Sequence, residues 1–386
     1  MLTSTKISAR FDYVLLFAGW AIVNIILFQK FGIKIVNDSP RYLSYADEII
    51  ARGVFFQTHN QWYLSYALYL ALLKSIGLGV GAMVIGQVLI SGVAVFCIYR
   101  SGILLSVRVA GLWAAVSFLG WVKISQWNFY VLCESLLISF TAIAFYLLLR
   151  YYKTNKGLWL TLLVLLLTFF IKPTGLWIAL AGLGFILSKP GNAPILFDRI
   201  SPRILFLLLI VVGLVLINQM LRTFQMIETY ATGETVYDTS TAAWLSESKR
   251  LIVSPPTDLF VPPEGQPLVR LVQFIFLNPF FFAKLFFAKL FLFGLHVKPF
   301  YSTLHNIWIA ATLYPSYFLA VKGIKSISEK TIRIFLLIFI ALNVLSIAFT
   351  TEDWDGRFLM PLLPVIFVLA GCGASKFLNR YFEKVK

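Results

Sequence analysis

The chain has 386 residues, 59% of them hydrophobic and only 13% charged, with a mean hydropathy of +0.84. A soluble domain could not hide that much apolar surface, so the composition excludes a soluble globular protein. It predicts an all-α polytopic membrane protein with one transmembrane domain over residues 1–386. The net charge of +16 would point to nucleic acid in a soluble chain. Here the basic residues flank apolar runs, so the positive-inside rule accounts for them and no nucleic-acid partner is expected.

The first span is expected over residues 12–28. Lys6 and Arg10 before it place the N-terminus in the cytoplasm, and no small-residue cleavage site follows, so no signal peptide is expected. A first outer loop covers 31–80. It opens with NDSPRYLSYADEIIARG (37–53), read as a short helix with Ser39 as N-cap, Pro40 in the first turn and Gly53 at the C-terminal cap. Asp38, just outside, faces the positive end of the helix dipole and is expected to be ionised. Tyr42, Tyr45 and Ile49 share one face at helical spacing. The run 62–76 is short for a span, rich in Tyr and carries Lys74, which fits a helix lying in the membrane interface.

Further spans are expected at 83–99, 103–121, 131–149 and 204–220. Two shorter helices, 158–171 and 176–187, flank a break at Lys172-Pro173-Thr174-Gly175. Residues 222–302 form a large outer loop. Within it, 222–270 is acidic and Pro-rich, and a tandem FFAKL repeat carries Lys284 and Lys289, expected to snorkel from an interfacial helix to lipid phosphates. The last spans are expected at 303–321, 332–349 and 358–374, before a basic tail. With the runs at 62 and 281 lying flat there are about ten spans and both termini are cytoplasmic; if both cross there are twelve. The basic loops containing Arg100 and Arg108, then Arg150, Lys153 and Lys156, then Lys189, Arg199 and Arg203 favour about ten. Loops at 38, 122–130, 222–302 and 351–357 then share the outer face, and the protein belongs in the plasma (inner) membrane.

Ionisable residues in or at an apolar run are functional candidates because burying them is costly. Glu134 in CESLL is the sharpest; its bland alternative is a carboxylate reaching the headgroups or pairing with Lys123. Arg357 in TEDWDGR opens the last span among Glu352, Asp353 and Asp355. Arg41, His59, Lys298 and His305 complete an outward-facing cationic set suited to lipid phosphate. Lys172 reads first as part of a helix break. Cys97, Cys133 and Cys372 lie in apolar runs, the three histidines are scattered, and no metal-ligand spacing, phosphate loop or catalytic triad occurs.

Asp38-x3-Tyr42-x3-Ala46 followed by Gly53, the segment YLSYALYLALLKSIG, CESLL at Glu134, the Lys172-Pro173 break and GRFLMPLLP together resemble the GT-C superfamily of membrane glycosyltransferases. That group includes the protein O-mannosyltransferases and the lipid A aminoarabinose transferase. The chain departs from many relatives in having HNQW where they carry Pro-Pro, and the soluble C-terminal domain of some is not expected here. The resemblance implies an inverting transferase moving a sugar from a polyprenyl-phosphate donor to an acceptor that is a lipid, a glycan or a protein. It implies Asp38 as general base, Glu134 as second carboxylate positioning the acceptor or a divalent cation if one is used, and Arg41, Tyr42, His59, Lys298, His305 and Arg357 as donor-binding residues among membrane lipids. Two other classes fit the membrane pattern: an O-antigen-type polymerase, disfavoured by an Arg-poor large loop, and a flippase or transporter, disfavoured by the lack of an internal repeat.

Overall fold

The computed structural model describes residues 2–36, 38–57, 59–189, 201–224, 226–237, 239 and 242–385, with side chains described mainly between 10 and 377. Asn37, Arg199 and Asp238, and the side chains of Lys6, Arg203 and the extreme tail, lie outside the described residues. Regular structure is helical, and among the described residues extended backbone pairs only as isolated bridges. Among the described residues five helices are long and apolar enough to cross a membrane, or six if a bent pair counts as one; five further apolar helices of 10–17 residues accompany them.

Contacts divide the chain into two compact units. The first comprises Met1–Ile186, Ser316–Leu336 and Met360–Lys386. It begins with α1 (Leu2–Phe31), α2 (Ser39–Arg52), a 3₁₀ turn (Asn60–Tyr63) and α3 (Leu64–Ser75). It continues with α4 (Val80–Leu105), α5 (Arg108–Gly120), α6 (Val122–Gln126) and a 3₁₀ turn at Trp127–Phe129. Then come α7 (Glu134–Thr154), α8 (Leu158–Phe169) and α9 (Gly175–Leu187). The expected span at 103–121 begins instead at Arg108, because α4 runs on to Leu105 before Ser106 and Val107 turn the chain. Gly102 and Gly111 permit the resulting hairpin: a Cβ on Gly102 would lie 2.6 Å from the Gly111 Cα. Small residues are what let membrane helices approach this closely.

The 122–130 segment is not an exposed loop. Trp127, Asn128 and Phe129 are buried, and a polar network holds them. Asn128 Nδ2 donates to Asn24 Oδ1 (2.9 Å) and Ser91 Oγ (3.1 Å), and its Oδ1 accepts from Ser135 Oγ (2.6 Å). Gln87 Nε2 donates to the carbonyls of Asn128 (3.0 Å) and Tyr130 (2.8 Å). Buried backbone polar groups need such partners away from water, which fixes the entry into α7.

The second unit comprises Leu187–Pro315 and Leu337–Leu359. Its helices are α10 (Pro202–Phe224), α11 (Met226–Ala231), α12 (Pro267–Leu277) and α13 (Pro279–Leu295). Helices α14 (Thr303–Ser326) and α15 (Lys330–Ala348) divide between the two units, and α16 (Leu363–Val385) closes the first. The FFAKL run is the second limb of a bent pair: α12 and α13 meet at 108°. Pro279 starts the new helix, and the Asn278 side chain brackets the Phe260 backbone with bonds of 2.8 and 3.1 Å. Lys284 is exposed, as expected of a snorkelling lysine. Lys289 is not: it is buried, with its ammonium over the Tyr230 ring and bonded to the Thr350 carbonyl. Five residues, about 1.4 helical turns, separate the two lysines, so they face about 140° apart, and the core around Tyr230, Phe274 and Phe282 claims the second. The last helix starts at Leu363 rather than near 358, since turns occupy the residues around Pro361.

Candidate functional site

In the first unit the site is built on α2. Pro40 lies in its first turn, and Tyr42, Tyr45, Ala46 and Ile49 form its buried face. Gly53 closes it with φ +81, donating its N–H to the Ile49 carbonyl at 2.9 Å. The cap differs from expectation. Asp38 occupies the N-cap position, already in helical backbone and with no side-chain cap bond, while Ser39 Oγ accepts from the Val36 N–H at 2.9 Å. The Asp38 carboxylate sits 3.2 Å from the Arg41 guanidinium, the two side chains 40% and 31% exposed.

Arg41 is held on several sides. Its guanidinium lies over the rings of Tyr42 (5.0 Å) and Tyr63 (5.1 Å), donates to Tyr42 Oη at 3.3 Å and meets His59 Nε2 directly. His59 in turn stacks on Tyr63 at 5.7 Å. Burial, reinforced by the Arg41 charge, pushes the His59 imidazolium below the ordinary histidine range, so it accepts from Arg41 as a neutral ring. Burial likewise pushes the Tyr63 hydroxyl up to about 12 and that of Tyr42 well above its usual range, keeping both protonated.

Behind the tyrosines lies the second carboxylate. Tyr42 Oη and Cys133 Sγ are 3.6 Å apart, and Cys133 Sγ is 3.6 Å from Glu134 Oε2. Lys172 Nζ bonds Glu134 Oε1 at 2.7 Å, and both side chains are buried. The sequence reading paired Glu134 with Lys123 as its bland alternative; the structure pairs it with Lys172, and Lys123 lies over the Trp127 ring at 5.8 Å. The break is tied to the site by Ser65 N–H donating to the Phe170 carbonyl (2.9 Å) and Gly175 N–H to that of Lys172 (2.8 Å). Lys172 is thus the site residue that the sequence reading undervalued. The signal was present: it is the one charge in the apolar stretch 158–187.

Lys298, His305 and Arg357 belong to the second unit. Lys298 is not a solvent-exposed cation. It is fully buried, 3.3 Å from Glu352 Oε1 and bonded to the Asp353 carbonyl. Burial, opposed by Lys298, pushes the Glu352 carboxyl up to about 7. Arg357 Nε bonds Asp353 Oδ2 at 2.8 Å with its side chain 18% exposed, and the His305 ring packs on Tyr301 at 4.7 Å. Among the described residues no group of three His, Cys, Asp or Glu is placed to hold a metal ion. No protein-family model matches the chain, and no curated protein matches it.

Proposed function

We propose that the protein is a membrane glycosyltransferase that moves a sugar from a polyprenyl-phosphate donor to an acceptor at the outer membrane face, with about ten spans and both termini cytoplasmic. The observation that carries this reading is Asp38: a half-exposed carboxylate beside an arginine that lies over two tyrosine rings. The acceptor hydroxyl attacks the anomeric carbon as Asp38 takes its proton. The bond from that carbon to the phosphate oxygen breaks, and its electron pair leaves on the polyprenyl phosphate. Inversion follows from this single displacement. Arg41 offers the departing phosphate a planar, permanently charged donor, and neutral His59 holds that donor in place. The Glu134–Lys172 pair fixes the rear of the tyrosine wall and positions the acceptor. Lys298, His305 and Arg357 are assigned to the donor phosphate from their charge and from the sequence resemblance.

The test is transfer of radiolabelled sugar from a polyprenyl monophosphate, with a polyprenyl diphosphate oligosaccharide as control. Wild type is expected to use the monophosphate. Asp38→Asn is expected to fold normally and lose about 100-fold or more in rate. A folded Asp38→Asn variant transferring at the wild-type rate excludes Asp38 as base, and transfer from the diphosphate alone favours a polymerase.

A further inference from the structure

A crevice of about 420 Å³, open along one side, runs between α1 and α4. Tyr13, Leu16, Phe17 and Trp20 line it from α1, and Leu89, Gly92, Val93 and Phe96 from α4. These spacings are those of one face on each helix. At one end the Trp20 indole donates to Ser91 Oγ at 3.0 Å. At the other, Arg100 continues the line of Gly92 and Phe96 and donates to Tyr13 Oη at 3.2 Å.

Among the described residues Arg100 forms no ion pair. The neighbouring acid, Asp12, is taken up by Arg108, whose Nε and Nη2 each bond it at 2.5 Å, and by Tyr99 Oη at 2.6 Å. Arg100 bonds Tyr13, Tyr146 lies close by, and among the described residues its buried Nε has no partner. A half-buried guanidinium bonded to Tyr13, at one end of an apolar crevice between membrane helices, suits an anion with a hydrocarbon tail.

Length selects which one. From Leu89 to Arg100 a helix rises about 17 Å, roughly half the ~30 Å hydrocarbon core. That matches one acyl chain of one leaflet. The polyprenyl donor does not fit, because Tyr13 and the end of α1 that leads to Asp38 are about 27 Å apart along the helix. We infer that this crevice is a binding site for an anionic glycerophospholipid, one acyl chain between α1 and α4 and its phosphate on Arg100. The site stands independently of the transferase reading.

Photo-crosslinking tests it, with the full-length protein in nanodiscs carrying a trace diazirine-acyl phospholipid with either a phosphatidylglycerol or a phosphatidylcholine head. Labelled peptides from α1 and α4 are quantified by mass spectrometry. Wild type is expected to favour phosphatidylglycerol about fivefold, the preference one arginine supplies near an anionic headgroup. Arg100→Gln is expected to bring the ratio near one. Val93→Phe, which fills the crevice from an exposed position, is expected to reduce labelling by both lipids. Equal labelling in the wild type, or an unchanged ratio in a folded Arg100→Gln protein, overturns the proposal and leaves an ordinary lipid-facing seam.

Discussion

Lys172 Nζ lies 2.7 Å from Glu134 Oε1 although 38 residues separate them in sequence. Both are buried, at an interface between a helix start and a helix break. Removing one member of such a pair strands the other charge, at a cost of about 3–5 kcal/mol, whereas removing both costs far less. Lys172→Met is therefore expected to lower the thermal midpoint in detergent sharply, and Glu134→Gln added to it to recover most of the loss. Additive losses in the double variant would show that the pair is not coupled.

His59 carries a pH dependence. Its folded-state pKa lies below the unfolded value of 6.5 because burial and Arg41 disfavour the charged ring. Below that value the unfolded chain binds the proton that the folded ring resists, so stability is present above pH 6.5 and declines as pH falls through it. The midpoint is expected to drop between pH 7 and 5, with a shallower drop in His59→Gln. Identical slopes in the two proteins would count against a neutral His59 beside Arg41.

Glu352 acts with the opposite sign. Its folded value of about 7 stands above the ordinary 4.5 because of burial. As pH rises between the two, the unfolded carboxyl loses its proton first, and the folded state loses stability. Glu352→Gln is expected to flatten the pH profile across that window. Unfolding midpoints at pH 5 and pH 8 measure the difference, and an unaltered profile would refute the assignment.

The α4–α5 hairpin predicts intolerance of a single methyl. A Cβ on Gly102 would meet Gly111 backbone at 2.6 Å, whereas one on Gly184 would meet nothing within 4 Å. Gly102→Ala is expected to destabilise by about 1–3 kcal/mol by overpacking, and Gly184→Ala to be nearly neutral. Comparable midpoints for the two variants would argue against the close approach.

Membrane class, helical architecture, the α2 helix with its Gly53 end and the break at Lys172 were all legible in the chain, because hydropathy, proline and glycine act locally on the backbone. Asp38 and Glu134 stood out for the same reason: a carboxylate in or beside an apolar run is conspicuous whatever surrounds it. Partners were not legible. The two FFAKL lysines are identical in local sequence, yet one is exposed and the other lies on Tyr230. Nothing local marked Lys298 as buried against Glu352, while Glu134 is paired not with Lys123 but with Lys172. Which charges meet depends on helix rotation and on contacts between distant segments, and desolvation then decides which pairings survive; neither quantity is encoded in a local window of residues.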